Sequence, residues 1–290
     1  MKHFKLFAIM AFICAAFNAN AQSINNYYLY SYNHSLFNPA AAGYENKHIV
    51  SLLGRSEDRQ SIYDYNSGIL NYEGNIKSIN SGIGAIVMVG KIRNVTGSKV
   101  GVSYNYQMRV NDRVKVRVGA RPTLNSLRGN NKDSLGNSPS YFKDPDTHGN
   151  LDLGVWLDVY GFYGGISVEN TFQRKDYWSY SPWRQYNLIV GRKIKIASFL
   201  QTDPSIAFNS NPIRNTFFIS NNFLIKKWVF LGATYGKSFD SNPDMVRFNV
   251  GLNILDKVEV ITHLYSSWEN TGFPKAVGYT TFEGMIRVKI

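Results

Sequence analysis

The chain has 290 residues, of which 44% are hydrophobic and 14% aromatic, with 18% charged and a negative mean hydropathy. Nineteen Tyr, 18 Phe and 24 Gly do not suggest a soluble helical protein. The formal charge of +12 is spread along the sequence rather than gathered into a basic tail or helix, which argues against nucleic acid as the partner.

At the amino terminus Lys2 and Lys5 precede an apolar run from Leu6 to Phe17 that ends in Ala19, Asn20 and Ala21. This pattern predicts a signal peptide over 1–21 with an A-x-A cleavage site, and a mature chain starting near Gln22. The run is too short to span a bilayer as a helix, and no other segment approaches the roughly 20 apolar residues such a helix needs. Cys14, the only cysteine, falls in the segment to be removed, so neither a disulfide nor a thiol site is expected in the mature chain. Without Lys2 and Lys5 the chain keeps 30 basic against 20 acidic residues. Export itself argues against nucleic acid.

Residues 22–46 read as an aromatic lead-in and turn. From residue 47 to 290 the recurring unit is a segment of about ten residues with period-two alternation, closed by Asn, Asp, Gly, Ser or Pro. Strands are expected near 47–55, 61–73, 81–92, 98–110, 113–124, 150–159 and 161–171. Seven more follow near 185–193, 196–208, 213–225, 227–238, 244–255, 257–267 and 279–290. In the clearest, Val114, Val116, Val118 and Ala120 alternate with Arg113, Lys115, Arg117, Gly119 and Arg121. Leu151 to Val159, Val246 to Ile254 and Phe282 to Ile290 repeat the alternation. About fourteen strands, an even number, predict an all-β, antiparallel transmembrane barrel of the outer-membrane type. A soluble sandwich also alternates, but one of this length would need two domains, and no linker divides the mature chain.

Aromatics near strand ends fit a membrane interface: Tyr104 and Tyr106, Tyr177, Trp178, Tyr180 and Trp183, Trp228 and Phe230, Tyr265 and Trp268. Connections are short at Asn111 and Asp112 and at Tyr160 and Gly161. They are long from Asn125 to Gly149, a polar stretch, and from Phe172 to Arg184, an aromatic and basic one.

Arg113, Lys115, Arg117, Arg121, Arg247, Arg287 and Lys289 would all point away from lipid, giving a cationic inner face. Such a face suits an anionic solute or an acidic polypeptide segment. Alternatively the cations pair with Glu73, Asp152, Asp158, Glu169 and Glu283 to fill a closed barrel. Enzyme signatures are poor: His48, His148 and His263 are far apart, and no nucleophile or metal spacing occurs. Asp144, Asp146, His148, Asn150 and Asp152 loosely follow a calcium loop but lack its final Glu, so a solvated turn is the simpler reading. No cofactor is expected.

The stretch from Tyr27 to Gly43, YYLYSYNHSLFNPAAAG, resembles the opening of the PorP/SprF family of type IX secretion system membrane proteins. The resemblance rests on Asn38, Pro39, Ala40, Ala42 and Gly43, followed by Ser51, Leu52 and Arg55. The chain departs from the family after that Arg, reading Ser56, Glu57, Asp58, Arg59, Gln60 and Ser61 where relatives tend to show a Trp and a Pro-Thr pair. What the resemblance implies is a non-enzymatic outer-membrane component assisting export or surface attachment of an adhesin or other cargo, often linked to gliding motility. Its partners would be that cargo, other secretion components and outer-membrane lipid. Asn38, Pro39 and Gly43 join the seven cations as candidate partner-binding residues. A passive channel for small anionic solutes is the alternative.

Overall fold

The computed structural model describes residues 29–58, 65–92, 95–129, 146–172, 184–211, 215–239, 245–269 and 277–290. The expected signal peptide lies outside them. Three 3-10 turns, Leu29–Ser31, His34–Leu36 and Pro39–Ala41, precede the strands. These are β1 Ile49–Asp58, β2 Tyr65–Ile76, β3 Ser81–Ile92, β4 Val95–Asn111, β5 Val114–Gly129, β6 Asp146–Val159, β7 Phe162–Glu169 and β8 Gln185–Arg192. They continue as β9 Ile194–Ala197, β10 Leu200–Ser210, β11 Asn215–Ile225, β12 Val229–Ser238, β13 Met245–Ile254, β14 Val258–Glu269 and β15 Val277–Lys289.

Every pairing is antiparallel, and β1 closes the ring on β15 from Ile49 opposite Lys289 to Asp58 opposite Thr280. Fourteen strands form that ring, because the four-residue β9 continues β8 beyond Lys193 and pairs with β10 alone. The strand expected from residue 196 therefore starts at Leu200, since Ser198 and Phe199 form the turn. The loop expected from Asn125 to Gly149 is also shorter, because β5 and β6 keep pairing as far as Leu127 opposite Asp146. In the stretch read as a solvated turn, Asn150 and Asp152 are buried strand residues instead. The aromatic stretch at 173–183 lies outside the described residues.

The alternation puts aliphatic side chains outside. On β4, Val100, Val102, Tyr104, Tyr106, Met108 and Val110 are exposed, while Lys99, Ser103, Asn105 and Gln107 between them are buried. Fully buried side chains are thus polar as often as apolar, the inverse of a soluble protein and the expected pattern for a lipid-facing wall around a polar lumen. Tyr104, Tyr106 and Trp228 face outward as anticipated, but Phe230 points into the lumen and meets Tyr32 edge-on at 5.7 Å. Its place on β12 has inward parity, which sets its direction whatever its affinity for an interface.

Both barrel ends of the chain, at Ile49 and Lys289, share one rim with the short turns, the periplasmic rim in barrels of this kind. Val102→Lys on the outer wall is expected to cost about 2–4 kcal/mol if it sits near the bilayer midplane. Val102→Leu should stay within about 0.5 kcal/mol. Urea unfolding in lipid vesicles measures both.

Candidate functional site

The lumen is filled by the chain's own lead-in. Its aromatic residues alternate with polar ones so that both kinds of wall are met. Leu29, Tyr32 and Leu36 pack into an apolar patch of Leu53, Ile69, Ile86, Met88, Phe230, Ile261 and Met285. Tyr30 packs with Ala207 and Phe218. The buried hydroxyls of these two tyrosines then find partners: Tyr30 with Ser220 at 2.7 Å, and Tyr32 donating to Asn222 at 3.0 Å while accepting from Asn249 at 2.5 Å. The backbone N–H of Leu29 donates to Glu283 at 2.8 Å. His34 is enclosed by the rings of Tyr163, Trp156 and Tyr44, with centroids 4.9, 5.0 and 5.4 Å away. Burial, reinforced by Lys193, lowers its pKa to about 3 and keeps it neutral.

The Asn38 to Gly43 turn is the tightest part of this plug. Asn38 caps Pro39–Ala41 by accepting from the N–H of Ala40 at 2.9 Å, and its amide donates to the carbonyls of Val155 and Ile166 at 3.0 and 3.1 Å, across β6 and β7. Pro39 supplies the fixed φ of the first helical position. Ala40, Ala41 and Ala42 are completely buried. The wall admits them because it lacks side chains there. A Cβ at Gly119 would stand 2.7 Å from the backbone of Ala40, and one at Gly154 or Gly82 would overlap Asn38 or the carbonyl of Ala42. Gly43 itself holds φ +71°, a left-handed conformation that glycine adopts without strain. Asn105 fastens the turn by donating to the carbonyls of Pro39 and Ala42 at 3.2 and 2.9 Å.

The expected inward cations divide into two groups. Arg121 sits at the centre of the plug. Its Nη atoms donate to the carbonyls of Ser35 and Leu36 at 3.0 and 2.9 Å, while Nε meets Asp152 at 2.8 Å. Lys99 bridges Asp152 and Glu169 at 2.8 and 3.0 Å. Arg287 meets Glu259 at 2.6 Å, Glu45 at 3.1 Å and Glu73 at 3.9 Å, and Lys289 also meets Glu259. Arg117 meets Asp158 at 2.5 Å and Gln107 at 2.7 Å. Arg247 is buried with its guanidinium 5.4 Å from the Phe218 ring centroid. Arg113 and Lys115 are instead at the short-turn mouth, where they line a cavity of about 690 Å³ together with Tyr44, Glu45, Asp158 and Lys193. The Arg113 guanidinium lies over Tyr160 at 5.7 Å. Sequence reasoning missed Lys99, Asn105, Glu45 and Glu259, which carry no motif and become partners only once the strand registers are set. Burial pushes the Glu45 carboxyl up, but Arg287, then Lys193 and Lys289, outweigh it and hold the group well below its ordinary 4.5. Among the described residues no group of three or more His, Cys, Asp or Glu could hold a metal ion.

Residues 19–264 match the family described as type IX secretion system membrane protein PorP/SprF, which is most of the chain. The chain belongs to the PorP/SprF family. No curated protein matches it. Among solved structures it is similar to the Acinetobacter baumannii outer membrane protein Omp33, at 9% identity and a TM-score of 0.53 over 84% of this chain and 98% of that one. It is also similar to the Ralstonia pickettii toluene transporter TbuX, at 9% identity and TM-score 0.51 over 94% and 95%. A deletion mutant of the TodX monoaromatic hydrocarbon channel gives 8% identity and TM-score 0.53 over 89% and 94%. At such identities these likenesses concern the fold alone. Family and fold together place this PorP/SprF protein in the outer membrane as a component of type IX secretion, a system whose other components are its partners.

Arg121→Met would leave two lead-in carbonyls without donors and Asp152 short of a partner, and should destabilise the protein by about 3–5 kcal/mol in urea unfolding. The pH dependence has a defined sign. His34 is neutral in the docked lead-in but charges below 6.5 once released, so docking weakens as pH falls from 6.5 toward about 3. Glu45, ionised when docked, adds a further loss as pH falls below 4.5. Emission of Trp156, buried beside His34, should shift to the red over this range, and Glu45→Gln should reduce the change below 4.5 to the share that His34 contributes.

Proposed function

We propose that this PorP/SprF protein is a non-enzymatic accessory that receives a particular secreted protein, such as a surface adhesin, and helps it reach or stay on the cell surface, with gliding motility as a downstream readout. The observation that carries the reading is the occupied lumen. A barrel built to pass solutes keeps its polar interior open, whereas here the lead-in takes that interior and satisfies its charges. What is left for a partner is the mouth beside the short turns, where Arg113 and Lys115 lie outside the plug's ion pairs and would meet an acidic polypeptide segment. Asn38, Pro39 and Gly43 serve that partner indirectly, by fixing the plug whose end, Tyr44 and Glu45, forms one side of the cavity.

The rival reading, a passive channel for small anions, is favoured by the cations of the inner wall. It requires them to be available to solute, and Arg117, Arg121 and Arg287 are already paired. In planar bilayers the wild-type protein is expected to give no steady current; an anion-selective conductance would favour the channel. In cells, loss of the protein should strip at least one large adhesin from the surface. Arg113→Glu with Lys115→Glu should lower that adhesin about tenfold, a magnitude within the range of paired charge reversals at interfaces, with barrel abundance unchanged. Export and retention of every surface adhesin in the deletion strain would refute the cargo role.

A further inference from the structure

The short-turn rim carries outward-facing side chains that the plug does not use. Phe162 and Arg192 stand opposite each other on β7 and β8, both on the outer wall, in phase with exposed Ile166 and with exposed Tyr186, Leu188 and Val190. The guanidinium lies 4.5 Å from the Phe162 ring centroid. A cation on the lipid side of a barrel is tolerated at the level of the headgroups, where its charge meets phosphate while its stem lies on apolar surface.

Two hairpin turns of the same rim hold large side chains in backbone conformations suited to Asn-Gly. Lys226 and Lys227 have φ of 49° and 63°, and Leu255 and Asp256 have 53° and 55°. Paired positive φ values define the two-residue turn in which Asn-Gly fits with least strain. The Lys-Lys and Leu-Asp pairs accept strain that glycine would avoid, and strain retained at a surface points to what the side chains touch. The turns are also fixed relative to each other. The Asn253 amide donates to the Lys227 carbonyl at 2.8 Å and to Asp256 at 3.1 Å, and the Lys226 N–H donates to the Phe199 carbonyl at 2.6 Å. Exposed Trp228, Leu255 and Phe199 stand beside these lysines.

Exposed charge at this rim is mainly basic. Lys77, Lys195 and Lys257 are exposed with Arg192, Lys226 and Lys227, whereas the exposed acids among the described residues there are Asp112 and Asp256. We propose that the short-turn rim is a collar for anionic glycerophospholipids of the periplasmic leaflet, its Lys and Arg residues binding the phosphodiester and its neighbouring apolar tips entering the acyl region. The apolar and basic groups recur around the circumference, from the β2–β3 turn to the β13–β14 turn, and several face outward. A protein partner would meet one arc; lipid meets the whole ring.

The test uses the full-length protein in nanodiscs containing phosphatidylcholine and phosphatidylglycerol, with spin-labelled forms of each lipid reporting association. Phosphatidylglycerol should be preferred by about fivefold or more at physiological salt, the effect of one or two basic residues near a surface. The preference should shrink at 1 M salt, where charges are screened within about 3 Å. The variant Arg192→Gln, Lys226→Asn, Lys227→Gly should lose most of it, while Lys91→Gln with Lys237→Gln at the opposite end keeps it. Lys226→Asn with Lys227→Gly alone should also raise the urea midpoint by relieving the turn, so loss of selectivity in that background is not misfolding. Equal association of the two lipids with the wild type, or a preference unchanged in the triple variant, would overturn the proposal. So would capture of an acidic protein through these lysines without lipid selectivity. None of these readouts depends on cargo export.

Discussion

A ring of fourteen antiparallel strands is wider than its own inward side chains can fill, since about eight strands already exhaust that capacity. Lipid outside the ring compels closure and an aliphatic outer face, so the space inside must be taken by water or by more chain. In this protein it is taken by more chain. The lead-in from Leu29 to Glu45 is short, rich in aromatic and small residues, and folded into 3-10 turns whose backbone carbonyls and N–H groups meet side chains of β2, β4, β5, β7, β8 and β15. Inner wall and plug are therefore one structure: the glycines at 82, 119 and 154 have no purpose without the turn they admit, and the turn has no fixed place without them.

The charges obey the same constraint. A buried Arg is costly unless its donors are all matched, and the matching here is shared between wall and plug. Arg121 takes a carboxylate from β6 and two carbonyls from the lead-in; Arg287 takes carboxylates from β2, β14 and the end of the lead-in. Removing the lead-in would take two carbonyl acceptors from Arg121 and one carboxylate from Arg287. The arrangement suits a membrane protein that presents a fixed surface to a partner, and it leaves the mouth near Lys115 and the outer rim as the accessible basic regions.

Much of the barrel could be read from alternation alone, because each strand has one lipid-facing side and the pleat forces its neighbours inward. Val114 to Arg121 and Phe282 to Lys289 are each correctly divided into faces by parity. Parity also gave the direction of Arg117, Arg121, Arg247 and Arg287. It could not give their partners, which depend on register between distant strands: Lys99 reaches Asp152 only because β4, β5 and β6 pair in one particular offset. Likewise Asn38 to Gly43 announces a turn through Pro and Gly, but its seat is assembled from single glycines on β3, β5 and β6, none informative by itself. Phe230 is the converse case: its residue type suits an interface, but its parity on β12 turns it into the lumen.

The account turns on the lead-in being a permanent part of the lumen. Hydrogen exchange of the full-length protein in lipid nanodiscs tests this most directly. The amides of Ala41 and Ala42, bonded to the carbonyls of Asn38 and Pro39 and buried against the wall, should exchange as slowly as those of neighbouring β5 and β6. Exchange of residues 29–46 within seconds, at the rate of an unprotected turn while the strands stay protected, would contradict it.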